Sequence, residues 1–179
     1  MPITLSSSDL EELLAFSIDL ASKAGGVILE GSKVIRRELG SATAVDSKKN
    51  STDLVTEWDV KVENLVRQEI EKKYPTFGLY VFLVFSRTHV HIHWADAIHS
   101  IGEESYSKGD RPELTDDPTF CVDPIDGTTN FVHGFPFSCI SIGVIYQKKP
   151  VIGVIFNPFL SQLVSPNFHH AHHTLESSL

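Results

Sequence analysis

Apolar residues in the first part of the chain fall at helical spacing. Leu10, Leu13, Leu14, Ile18, Ala21, Ala24 and Ile28 recur every three or four positions, which lays one apolar stripe along a helix running to about Leu29. Ser8 followed by Glu11 has the form of a capping box, in which hydroxyl and carboxylate satisfy backbone donors at a helix start, so the helix is expected to begin there. Residues 40–52 are small, polar and aperiodic, and they predict a surface loop. From Asp59 the helical period returns through Val62, Leu65, Val66, Ile70 and Tyr74, and Pro75 stops it because its ring cannot continue a helix. Asp59 is expected at the N-terminal end of this second helix.

The later half of the chain changes period. Phe120-Cys121-Val122 is a short apolar run closed by Asp123-Pro124, the pattern of a buried strand whose end delivers a carboxylate into a cleft. Ser138 to Tyr146 and Val151 to Asn157 are β-branched and apolar, and Gln147-Lys148-Lys149-Pro150 between them predicts two antiparallel strands joined by a tight polar turn. Helices first and strands later favour a layered α/β sandwich over a doubly wound fold.

Composition narrows the class. At 179 residues the chain suits one domain with a sizeable core. Lys and Arg total 15 against 23 Asp and Glu, a formal net charge of -8, and without a local basic patch this argues against a nucleic-acid partner. The two cysteines, Cys121 and Cys139, form no C-x-x-C pair and lie in apolar runs, where a reduced, buried thiol in a cytoplasmic protein is expected. The start of the sequence has neither a basic segment followed by an apolar one nor a transit-peptide bias, and no membrane span or export signal is expected.

The densest chemistry is Asp123-Pro124-Ile125-Asp126-Gly127-Thr128-Thr129-Asn130-Phe131. Pro124 stiffens the backbone between two carboxylates, so Asp123, Asp126 and the Ile125 carbonyl could converge on a hard cation, which prefers oxygen ligands. Gly127 permits close backbone approach, and the amides of Gly127, Thr128 and Thr129 would form an anion site if they open a helix. An isolated D-x-x-D-G string is equally an ordinary turn in which an aspartate caps a helix.

The longer string, Asp123 to Phe131 followed by Val132-His133-Gly134-Phe135-Pro136-Phe137, resembles the central motif of the inositol monophosphatase family. Ile101-Gly102-Glu103-Glu104-Ser105 resembles that family's metal-binding glutamate segment, and Asp53-Leu54-Val55-Thr56-Glu57-Trp58-Asp59 its earlier acidic motif. The resemblance covers Leu10 to about Phe77 and Ile101 to about Leu163. It implies the N-terminal domain of the inositol monophosphatase and fructose-bisphosphatase-like fold, and Mg²⁺-dependent hydrolysis of inositol monophosphate to inositol and phosphate. By the same resemblance Glu103, Asp123, the Ile125 carbonyl and Asp126 hold Mg²⁺, Asp59 and Thr128 orient the attacking water, and Gly127, Thr128 and Thr129 bind the substrate phosphate. A small phosphomonoester is the implied partner, and the intact family implies a homodimer. Phosphatases of adenosine 3',5'-bisphosphate or fructose bisphosphate share the paired aspartates and remain the alternative, as does a non-catalytic fragment. Lys48 or Lys49 could approach the site or simply be solvated, Glu104 could be a supporting group or a surface charge, and Asp53 is expected to anchor its turn.

Two stretches depart from the family pattern. Gly78 to Ser100 reads as an insertion; it opens with an uncharged β-prone run, Leu79 to Phe85, and continues through His89, His91 and His93, which could face a zinc or nickel ion or form a polar strand face. An intron translated in frame would account for the whole segment. From Val164 to Leu179 the resemblance ends in a tail with His169, His170, His172 and His173, which predicts disorder or a shifted frame. The domains expected are therefore 1–163, with an aberrant 78–100, and a non-family tail 164–179. The family's C-terminal domain is expected to be missing, and the truncated chain to be weakly active. Trp94-Ala95-Asp96 is not assigned that domain's metal-binding role.

Overall fold

The structure is a computed structural model, and it describes residues 3–39, 47–81 and 114–165. The expectations for residues 40–46, for the histidines at 89, 91 and 93, for Glu103 and Glu104, and for the tail from Pro166 onward lie outside the described residues. So do those for the side chains of Lys48, Lys49 and Asp53.

Helix α1 (Ser7–Leu39) starts with the predicted type of cap, shifted by two residues. Ser6 rather than Ser8 is the capping hydroxyl. Its N–H donates to Asp9 Oδ2 at 2.7 Å, while the Asp9 N–H donates back to Ser6 Oγ at 3.3 Å. The helix also runs ten residues past the expected Leu29. Gly31 interrupts the apolar stripe in the sequence, but it is small because another residue occupies its space. A Cβ on Gly31 would lie 2.6 Å from the Trp58 ring. Trp58 belongs to helix α2 (Ser47–Lys73), whose start lies well before the predicted one. A helix extended by polar residues carries no apolar period for a pattern to detect. Residues 47–52 are thus helical rather than loop, and Asp59 stands well inside α2 instead of at its N-terminus.

The remaining elements among the described residues are strands β1 (Gly78–Val81) and β2 (Thr119–Asp126), a short helix α3 (Thr128–Val132), and strands β3 (Cys139–Tyr146), β4 (Lys149–Asn157) and β5 (Gln162–Val164). They form one sheet in the order β1-β2-β3-β4-β5, parallel between β1 and β2 and antiparallel elsewhere. The first four residues of the expected insertion therefore build a sheet strand. Leu79 and Val81 pair with Phe120 and Val122 and are buried with them, while residues 82–85 of the β-prone run lie outside the described residues.

One face of the sheet is the core. Phe120, Val122, Ile140, Ile142, Val144, Ile152 and Val154 alternate along β2, β3 and β4 and are buried, with α1 lying against β3 and β4 and α2 against β2. Phe120 meets Phe16 of α1 edge-on, at 6.0 Å between ring centres, and packs against Tyr74 and Phe77 beyond α2. Two helices over a mixed five-stranded sheet make the layered α/β sandwich expected from the order of periods.

The predicted turn between the last long strands is tighter than expected. Gln147 and Lys148 alone form it, with φ of 51° and 60°, whereas Lys149 and Pro150 already belong to β4. Pro150 is tolerated in the strand because the register shifts beside it, between Val144 and Ile145. Two consecutive left-handed residues suit the twist of a two-residue hairpin but cost about 1 kcal/mol each for side chains with a Cβ. The double substitution Gln147→Asn with Lys148→Gly should therefore raise the stability of the chain by about 1 kcal/mol. Urea denaturation followed by circular dichroism checks this, with an unchanged or lower midpoint as the contrary result.

Candidate active site

Strand geometry alone would separate the two aspartates of the central motif. Side chains alternate between faces, so residues three apart point in opposite directions. Here Asp123 pairs with Ser141 and Asp126 with Cys139, so Pro124 and Ile125 together oppose the single residue Ile140. This bulge restores the phase, and Asp123 and Asp126 emerge on the same face, opposite to the core residues Phe120 and Val122. Pro124 suits the position because it has no N–H to contribute to the ladder. Ile125 is buried, which anchors the bulge.

The chain turns sharply after Asp126. Gly127 has φ 80° and ψ 40°, and a Cβ there would come 2.8 Å from the Phe137 carbonyl oxygen, so only glycine fits. Helix α3 opens immediately afterwards with no side chain capping it, which leaves its first N–H groups for another acceptor. Thr128 is buried, and its hydroxyl donates to the Ile125 carbonyl at 3.0 Å. The segment that follows is pinned by side-chain amides: Asn130 Nδ2 donates to the Phe137 carbonyl at 2.8 Å and Asn157 Nδ2 to the Pro136 carbonyl at 2.9 Å.

Asp59 reaches this corner from α2, which touches both β2 and α3. It is only 5% exposed. Burial, then the charge of Asp123, then that of Glu63, pushes its carboxyl up to about 7. Burial and the charge of Asp126 push Asp123 up to about 6, although a backbone hydrogen bond from Ile125 opposes the shift. Three carboxylates thus sit close enough to disturb one another on a corner built from α2, β2 and α3.

Of the residues expected at the site, Asp59, Asp123, Ile125, Asp126, Gly127, Thr128 and Thr129 fall in one region, and Glu103 lies outside the described residues. Among the described residues no group of three His, Cys, Asp or Glu side chains is gathered closely enough to hold a metal by itself. Sequence reasoning missed Cys139 and Ser141, whose Sγ and Oγ lie 3.7 and 3.4 Å from Asp126 Oδ2. The thiols were expected in the core, but both are half-buried on the open face because their positions are in phase with Asp123 and Asp126. Burial, and for Cys139 also the charge of Asp126, pushes both thiols up to about 11. Glu63 was missed as well: it is buried on α2, one turn from Asp59, and ion-paired with Arg67. The signal for these residues lay in the register and the helix phase, which are legible only once the bulge is placed.

The raised carboxyls make a pH prediction. Folded Asp59 and Asp123 hold protons up to about 7 and about 6, while the unfolded chain loses them near 3.8. Through that window the folded state binds more protons, so stability is greatest on the acid side and falls as pH rises from about 4 to about 7. Without divalent cations, Asp59→Asn should melt about 5 °C or more above the parent at pH 8 and alike at pH 4, read by differential scanning calorimetry. An equal or lower melting temperature at pH 8 would contradict this electrostatic picture.

The comparisons with known proteins agree with the geometry. The model of the inositol monophosphatase family matches residues 9–81 and 93–172. The unmatched stretch between them, 82–92, is narrower than the expected 78–100, and the match continues beyond 163. The chain is 40% identical over 167 residues to the protein qutG of Emericella nidulans, 92% of this chain and 43% of that one. It is 40% identical over 157 residues to inositol monophosphatase 1 of Saccharomyces cerevisiae, 88% of this chain and 44% of that one. Among solved structures, inositol monophosphatase-II from Staphylococcus aureus MSSA476 shares the fold with a TM-score of 0.58 at 24% identity, over 88% of this chain and 46% of that one. The chain spans less than half the length of these relatives. With its central motif folded into the corner described above, the chain belongs to the inositol monophosphatase family.

Proposed function

We propose that this chain carries part of the active site of a Mg²⁺-dependent phosphomonoesterase, with inositol monophosphate as substrate. The observation that carries the reading is the bulge that turns Asp123 and Asp126 to one face beside buried Asp59, next to a helix start that no side chain caps. The substrate class rests on family membership rather than on any contact in the structure.

The donors fit a hard divalent cation. Asp123, Asp126 and the second lone pair of the Ile125 carbonyl offer oxygen only; Asp123 is raised by burial and then by the charge of Asp126, and a bound cation relieves that repulsion. Glu103 is proposed to complete the set. When bound, Mg²⁺ supplies Lewis-acid neutralisation of charge on the phosphate. The chain's own residues do the rest. Asp59, held high by burial, accepts a proton from water near neutral pH. The Thr128 hydroxyl is committed as a donor to Ile125, so its oxygen accepts from that water and orients it. The first N–H groups of α3, with Gly127, Thr128 and Thr129, face the phosphate oxygens. No serine or cysteine nucleophile is needed, because water attacks directly.

The chain spans less than half the length of the relatives it matches, and the 179 residues alone are proposed to turn over slowly. Release of inorganic phosphate from inositol 1-phosphate should require Mg²⁺, stop with EDTA, and fall by on the order of 100-fold or more in kcat for Asp59→Asn and Asp126→Asn. Hydrolysis that persists in EDTA, or that survives Asp126→Asn, would remove the reading. Hydrolysis at the rate of a full-length relative would remove only the claim of slow turnover.

A further inference from the structure

The face of β3 beside Asp126 carries two donors that the proposed reaction leaves unused. Ser141 Oγ donates to Asp126 Oδ2 at 3.4 Å, and Cys139 Sγ donates to the same oxygen at 3.7 Å. Their placement follows from the register: Cys139 pairs with Asp126, and Ser141 pairs with Asp123, so both side chains rise on the face that holds the carboxylates. In a regular ladder through the same residues Ile125 would stand opposite Cys139 and Asp126 would turn to the core face, so it is the bulge that brings Asp126 to these donors.

We propose that Ser141 and Cys139 are positioning residues for Asp126, holding Oδ2 and thereby fixing the rotamer in which the carboxylate meets a divalent cation alongside Asp123. The inference rests on the cation-dependent reading above. Its physical basis is that Asp126 is exposed at the end of its strand and repels Asp123: the bulge sets both on one face but does not fix the Asp126 rotamer. Two neutral donors on one oxygen offset that repulsion and leave the other oxygen open for a cation. The hydroxyl is the stronger donor, and the thiol reaches further but binds more weakly. Neither side chain is required to touch the substrate, so their effect is on cation affinity before it is on chemistry.

The test is Mn²⁺ binding to the 179-residue chain by isothermal titration calorimetry, with Asp126→Asn as the control that removes a ligand. Ser141→Ala combined with Cys139→Ala should weaken Mn²⁺ about 10-fold or more, while Cys139→Ser and Ser141→Thr, which keep a donor, stay within about threefold of the parent. Cation-free melting of the double variant should lie within about 3 °C of the parent, which separates positioning from loss of fold. If the double variant melts early, Ser141→Ala alone decides, and an unchanged affinity there overturns the proposal. Affinity retained in the double variant but lost in Asp126→Asn overturns the positioning role and leaves the cation-dependent reading standing. A parent chain that binds no Mn²⁺ removes both.

Discussion

A β-strand alternates its side chains between faces, and this sheet has one face committed to the helices. Two carboxylates three positions apart can share the other face only if the strand gains a residue between them. Strand β2 does so by setting Pro124 and Ile125 against Ile140 alone. Much else at the corner depends on that insertion. It brings Asp123 and Asp126 together, sets them opposite Ser141 and Cys139, and sends the chain into the left-handed Gly127 from which α3 starts. Burial of Ile125 on one side and pairing on the other hold the bulge in place.

Gathering like charges is unfavourable, and the structure shows where the opposing stability comes from. Asp59 sits inside α2, away from the helix start that would favour its charge, and beside Asp123 and Glu63. It is kept there because Trp58, its neighbour, packs against Gly31 of α1, and because Val62, Val66 and Ile70 continue the same helix into the core. The apolar contacts between α1, α2 and the sheet thus hold α2 in a rotation that its acidic residues alone would not choose. The proposed cation would relieve this repulsion, the usual relation between a strained functional corner and the fold that supports it.

How much of this was legible in the sequence divides along physical lines. Helix existence, the hairpin and the identity of the central motif were legible, because apolar period and motif spacing are local properties. Boundaries were less so: Ser6 and Asp9 form the cap that Ser8 and Glu11 imitate two residues later, and the polar start of α2 has no period to read. The apolar stripe was legible only to about Leu29, and beyond it Gly31 makes room for Trp58. The role of Gly78–Val81 as a sheet strand, outermost beside β2 among the described residues, was hidden because pairing with Thr119–Val122 crosses almost forty residues of chain. Cys139 and Ser141 looked like ordinary members of an apolar strand; alternation in β3 turns them away from Ile140 and Ile142, but that they meet Asp126 depends on the bulge in β2, which leaves no mark in the pattern of β3.

The central claim is that one cation position exists at the corner where the bulge aligns Asp123 and Asp126. Paramagnetic broadening of assigned amide resonances during addition of substoichiometric Mn²⁺ tests it directly. The account predicts early loss of the signals of Asp123 to Thr129, Ser141 and Asp59, with β5 and the N-terminal turn of α1 unaffected. Broadening centred on the histidines at 169–173, or spread evenly over the acidic surface, would contradict it.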